Sequence, residues 1–266
     1  MASLAIPSVG ARPSGAAPLP IFAKEAKYEF LKLLRARTYS LAAVGFPVMF
    51  YLLFGVTNRG VQQGGVALAK YELAGYACFG LVGAALFSIG VGLAGERAQG
   101  WLELKRASPM PPLAYLLAKC LTAMAFGVII ILVLSTLGVA LGGVQLSPRE
   151  FAEMVGVALA GTVPFAAMGL LIALTVPANA APGVVNLIYL PMSFMSGLWV
   201  PLHLLPKWLQ AVAPYLPTYH LSQLMLGVFG YQNASSRLSH CVGLGGFTVL
   251  MLGASWAVFH RAEQDA

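Results

Sequence analysis

The chain has 266 residues, of which 59% are hydrophobic and 9% charged, with a formal net charge of +7 and a mean hydropathy of +0.79. Soluble domains average about 25% charged residues, so the composition excludes one or two water-soluble domains. The basic excess forms no exposed reading face, which argues against nucleic acid as a partner.

Charge is absent between Arg37 and Arg59, Glu72 and Glu96, Lys119 and Arg149, Glu153 and Lys207, and Arg237 and Arg261. A helix needs about 20 apolar residues at ~1.5 Å rise to cross a bilayer core. The gap from Glu153 to Lys207 has room for two crossings. The expected fold class is therefore an all-α membrane protein with six transmembrane helices, near 38–57, 73–95, 113–141, 150–176, 182–200 and 239–260. Transmembrane strands would be shorter and would alternate; these runs do not. Pro47, Pro164 and Pro191 fall inside spans, where neighbouring helices tolerate a kink.

Residues 1–21 are rich in Pro, Ala, Gly and Ser and lack a secretory signal pattern, which predicts a flexible tail. Over residues 22–37, Phe22, Ala26, Phe30, Leu33 and Leu34 share a helical face, with Lys24, Lys27, Lys32 and Arg35 mainly elsewhere. That pattern predicts an amphipathic helix at the membrane surface, leading into the first span. The bland alternative is a basic flank that only sets topology.

The connection 96–112 concentrates charge in a charge-poor chain. Arg97, Trp101 and Leu104 share a face at helical spacing, Ser108 can cap the next helix, and the prolines suit a helix start. A docking element for a cytoplasmic partner fits this pattern, as does a solvated loop. In the fifth span Asn186, Tyr189, Ser193 and Ser196 recur at spacings of three, four and three, forming a polar stripe. Such a stripe faces a translocation cavity or glues helices together; Thr162 and Thr175 can return hydrogen bonds to their own helices. Pro201, Pro206, Pro214 and Pro217 break the apolar, aromatic segment 200–230, which predicts short outer re-entrant helices.

An even number of spans puts both termini on one side, and the excess of Lys and Arg around 24–37 and 97–119 makes that side cytoplasmic. Attraction to membrane lipids follows from the same charges. No phosphate loop, zinc-protease motif or nucleophile elbow occurs. Cys78, Cys120 and Cys241 are isolated packing residues, and His203, His220, His240 and His260 are widely spaced polar anchors. Only the fourth span begins with a carboxylate, Glu153, so intramembrane proton chemistry is poorly supplied.

Two ordered regions resemble type-2 ABC exporter permeases. One is Gly95-Glu96-Arg97, Gly100, Leu104, Ser108-Pro109 and Leu113 to Lys119; the other runs from Asn186 to Gly227 with Pro191, Ser196-Gly197, Pro201, Leu205-Pro206, Trp208, Pro214, Pro217 and Leu224. The resemblance implies a permease domain over 22–262, a short cytoplasmic tail at 263–266 and a coupling helix that makes Glu96, Arg97, Trp101 and Glu103 the surface transmitting ATPase motion. It implies a translocation pathway in which Asn186, Tyr189, Ser193 and Ser196 are the candidate lining. It also implies no directly bound cofactor, ATP and Mg held by a separate P-loop ATPase subunit, and a second permease subunit as a homodimer partner. The expected location is the bacterial cytoplasmic membrane, and the expected cargo a drug, lipid or polysaccharide. An ATP-independent channel, a secondary transporter and a membrane scaffold are the rival readings.

Overall fold

The structure is a computed structural model that describes residues 18–63, 65–101, 112–231 and 236–264. Helix α1 spans Pro18–Arg35 and begins four residues before the expected amphipathic segment. Ala36 breaks the helix at ψ 82°. Ser40 Oγ then donates to the Leu33 and Leu34 carbonyls at 2.7 and 3.0 Å, satisfying acceptors that the break would leave open. Helix α2, Arg37–Phe50, contains Pro47 and continues as a π-helical turn over Tyr51–Gly55. A two-stranded antiparallel hairpin follows, β1 (Gln62–Gln63) against β2 (Val66–Ala67).

The second span is one rod, Leu68–Ala98, built from α3 (Leu68–Ala85), a π-helical stretch (Leu86–Val91) and α4 (Gly92–Ala98). It is the most buried span, packed by α2 and by α5 (Pro112–Ala140), α6 (Pro148–Thr175) and α9 (Pro217–Val228). One close approach requires glycine: a Cβ on Gly75 would stand 1.9 Å from the Leu198 carbonyl oxygen. A Cβ on Gly169 would stand 3.1 Å from the Gly90 nitrogen, a tight contact. The core around this rod contains Tyr51, Leu73, Leu81, Phe126, Met154 and Phe165.

Helix α6 starts on a capping box: Ser147 Oγ accepts from the Glu150 N–H, and the Glu150 carboxylate accepts from the Ser147 N–H. Helix α7, Ala181–Met195, leads into short helices, including α8 (Lys207–Val212), and then α9. Helix α10, Arg237–Gln264, lies outermost against α6 and α9.

Five helices among the described residues are long and apolar enough to cross a bilayer, four of them at expected spans 38–57, 113–141, 150–176 and 239–260 and one extending past 73–95 at both ends. The chain is thus an all-α, multi-pass membrane protein. The expected span at 182–200 is the 15-residue α7. At ~1.5 Å per residue it is about 22 Å long, short of a ~30 Å hydrocarbon core. The second span begins at Leu68, not 73, and so carries Glu72 inside its first turns, buried, accepting from Asn58 Nδ2 at 2.9 Å. The expectation of a second span without carboxylates is corrected: the helix starts where the hairpin ends, and Asn58 supplies one donor to Glu72 while its other carboxylate oxygen is buried without a partner.

Candidate functional site

Four charged residues, Glu29, Lys32, Glu96 and Lys119, converge at the end of the bundle that carries α1. On α1, Glu29 sits within the apolar stripe formed by Ala26, Phe30 and Leu33. That face rests on α5: the Phe30 ring lies 5.7 Å from Phe126. The apolar stripe that predicts a surface helix is thus largely covered by protein. Lys119 lies inside the apolar run of α5, 1% exposed, and its Nζ donates to Glu29 Oε1 at 2.5 Å. The same ammonium is 3.1 Å from both oxygens of Glu96 and bonds one of them. Lys32, half-exposed, donates to that same Glu96 oxygen. The other Glu96 oxygen is buried, held by the Lys119 ammonium as an ion-pair contact rather than in hydrogen-bond geometry. Two lysines and two glutamates from three elements therefore form one knot. Each buried charge has a counter-charge, the condition under which such burial is tolerated.

Arg97, next in sequence, points the other way. Its guanidinium donates to the Leu174 carbonyl and, at 2.9 Å, to the Val176 carbonyl. These are carbonyls of the last turn and cap of α6, which have no partner within the helix and carry its negative dipole end. A planar fork meets two such acceptors at once. Glu96 and Arg97 thus tie the end of the second span to α1 and α5 on one side and to α6 on the other. Neither is a free docking group. Trp101 is 49% exposed, with Nε1 donating to Gln99 at 3.1 Å. Glu103 lies outside the described residues, as do Leu104, Ser108 and Pro109.

The knot's two most buried members, Glu29 and Lys119, were not singled out from the sequence. A signal for each was present. Glu29 interrupts an apolar face at i, i+3 and i+4 spacing, and Lys119 interrupts an apolar run.

The polar stripe of α7 divides. Tyr189 is buried, its hydroxyl donating to the Phe79 carbonyl at 2.6 Å and its ring stacked on Phe79 at 4.7 Å. Ser196 shares a hydroxyl hydrogen bond with Thr218, which also donates to the Met192 carbonyl at 3.1 Å. Ser193 is buried with no partner for its hydroxyl. These three face α3 and α9. Asn186 faces outward, on the surface that exposes Leu187, Leu190 and Phe194. Thr162 and Thr175 bond carbonyls four residues back at 2.8 Å, as expected.

His220 and His240, widely spaced in sequence, meet because α9 packs on α10; their Nδ1 atoms are 3.0 Å apart. One proton lies between two such nitrogens, so they bond as donor and acceptor. Burial pushes the His220 pKa down, with a backbone hydrogen bond at Pro214 opposing it. No group of three or more His, Cys, Asp or Glu suited to a metal occurs among the described residues.

The family model for the ABC-2 type transporter matches residues 25–230, well over half of the chain. A curated relative, "Putative transport permease YvfS" of Bacillus subtilis (strain 168), is 29% identical over 201 residues, covering 75% of this chain and 82% of that protein. The chain belongs to the ABC-2 type transporter permease family.

Proposed function

We propose that this ABC-2 type permease is the transmembrane subunit of an ATP-driven exporter. It pairs with a second copy, forms the translocation pathway, and takes its energy from a separate P-loop ATPase that holds ATP and Mg. Family membership supports the transport reading. The observation that carries its mechanism is the knot of Glu29, Lys32, Glu96 and Lys119 with Arg97 beside it, next to the connection between the second and third spans. A push on that connection reaches the end of the second span, where Glu96 moves α1 and α5 and Arg97 moves the end of α6. Buried ion pairs and backbone-directed bonds have discrete arrangements, so such a joint transmits displacement instead of absorbing it.

In this reading the knot is cytoplasmic, as are both termini, and the membrane is the bacterial inner one. Trp101 and Glu103 touch the ATPase, and α7 with the short helices after it completes a sixth crossing. Asn186, Tyr189, Ser193 and Ser196 belong to the pathway wall, with Asn186 reaching the cargo and the other three holding the wall in place. Drugs, lipids and polysaccharides are the cargo classes to try.

The test is reconstitution of the permease with its ATPase in proteoliposomes. The expected result is cargo movement that needs both ATP and the ATPase, and a Glu96→Ala/Arg97→Ala variant that still binds the ATPase but hydrolyses ATP without transport. Cargo movement without the ATPase would establish a channel or secondary transporter instead. Unchanged coupling in the double variant would remove the knot from the mechanism.

A further inference from the structure

The first turn of α9 is tied to two other helices. Thr218 holds the end of α7 through Ser196 and the Met192 carbonyl. His220 reaches the other way, to His240 in the first turn of α10. Gly243 of α10 gives the His220 ring its place, since a Cβ there would stand 2.7 Å from His220 Nε2. The bridge lies beside the first half of the second span, where Cys78 Sγ donates to the Leu221 carbonyl at 3.9 Å. The knot sits at the other end of that rod.

Burial decides which ring carries the proton between them. His240 is 1% exposed, and its Nε2 is buried with no hydrogen-bond partner among the described residues. A buried N–H without an acceptor is the rarer arrangement. Nε2 is then the bare nitrogen, so His240 Nδ1–H donates and His220 Nδ1 accepts at 3.0 Å. A further proton has no comfortable place. On His220 Nδ1 it sets two N–H groups against each other and removes the bond. On His240 Nε2 it strands a donor and a charge in the interior.

No counter-charge stands ready. The charged groups on the elements packed around the pair are engaged elsewhere: Lys70 with Glu150, Arg149 with Glu153, Glu72 with Asn58, and Arg237 with the Gly227 carbonyl. His260, Arg261 and Glu263 lie about 30 Å further along α10 at ~1.5 Å per residue. The other titratable neighbours, Tyr71, Tyr76, Cys78, Tyr189, Tyr215, Tyr219 and Cys241, are of types that carry no charge near pH ~6. Gln232, Asn233, Ala234 and Ser235, which join α9 to α10, do not titrate. Burial accordingly holds the His220 pKa below its ordinary value. When the first turn of α9 leaves α10, both rings meet water and bind protons more readily. The joint therefore weakens as pH falls through the ordinary histidine range near ~6.5.

We propose that the His220–His240 pair is an acid-released latch. With one proton between the rings it holds α9 on α10; a further proton, taken up on the side of the membrane away from the knot, frees the first turn of α9 and loosens its clasp on α7. His220 is half-buried, which gives that proton its way in. The latch depends on neither the cargo nor the ATPase.

The test is amide exchange of the full chain in nanodiscs at about pH 7.5 and about pH 5.5, corrected for the intrinsic rate. One proton taken up per opening makes opening of residues 217–222 about tenfold more frequent for each pH unit below ~6.5. The last turn of α6, at the knot's end of the bundle, should not follow. His220→Gln/His240→Gln keeps two hydrogen-bonding side chains that do not titrate, and its opening should be the same at both pH values. Its unfolding midpoint at about pH 7.5 shows whether it folds. Glu72→Gln removes the buried carboxylate of this half of the bundle and should keep the parent's response. A parent whose 217–222 exchange ignores pH would overturn the latch, whether or not the double variant folds. So would a response spread evenly over all the spans, or one that survives in the double variant.

Discussion

Removing the Lys119 ammonium leaves Glu29, 4% exposed, without its closest counter-charge, and leaves Glu96 with Lys32 alone. Breaking one side of a buried pair typically costs about 3–5 kcal/mol, most of it the penalty on the abandoned charge. Lys119→Met is therefore expected to destabilise the protein by about that amount, read as a lost or strongly lowered unfolding transition in mild detergent. The double variant Glu29→Leu/Lys119→Met should recover most of the loss, because no charge is then stranded there. Equal losses in the single and double variants would mean that the pair contributes by packing alone. This pair also marks where the sequence stopped being legible. Charges serve well as fences between spans only while each one needs water. Lys119 and Glu29 are 90 residues apart, and Glu72 is served by Asn58, so each charge sits where isolated-residue hydropathy would forbid it. The partner that licenses the burial is a property of the fold, not of the local sequence.

Element boundaries follow the same logic at a larger scale. The apolar runs for α2, α5, α6 and α10 were readable because a bilayer-crossing helix must be long and uncharged. The break at Ala36 and the two π-helical stretches were not, since each depends on what packs against the helix. The second π-helical stretch lies where Gly90 meets Gly169 of α6, and Arg97 fastens the same two elements a little further on. Arg97→Ala frees two carbonyls at the end of α6. Hydrogen bonds to a charged donor are worth about 1.5–3 kcal/mol, so amide exchange in the last turn of α6 should quicken by about 10- to 100-fold. Arg97→Lys keeps the charge but loses the fork and should fall between the two. Exchange in the first turns of α6, held by the Ser147–Glu150 box, should not change. A uniform rise along α6 would show instead that the whole helix had loosened.

At the scale of the whole molecule, the stripe on α7 shows how far spacing can take an argument about assembly. Spacing placed four polar residues on one side of a helix; packing turned three of them inward and one outward. Tyr189 and Ser196 are accounted for within a single chain, by α3 and α9, while Ser193 is buried with no partner for its hydroxyl. Asn186 is not accounted for: it stands on an exposed face with Leu187, Leu190 and Phe194, which the rest of the described chain covers only in part. A carboxamide directed into lipid loses its hydrogen bonds, at a cost that membrane helices avoid by facing a partner or a wet cavity. Both are available in the proposed pair of permeases, where two such faces meet beside the pathway. The expected outcome is selective crosslinking. In a background with Cys78, Cys120 and Cys241 replaced, Asn186→Cys should form an oxidised dimer in membranes, while Val249→Cys on the exposed side of α10 should not. Asn186→Leu should fold with near-parental stability yet change cargo preference or pairing. Tyr189→Phe should instead lower stability by about 1 kcal/mol through the lost bond to the Phe79 carbonyl. If crosslinking occurs on α10 and not on α7, the pair forms on the other side of the molecule, and Asn186 must find its hydrogen bonds in some other way.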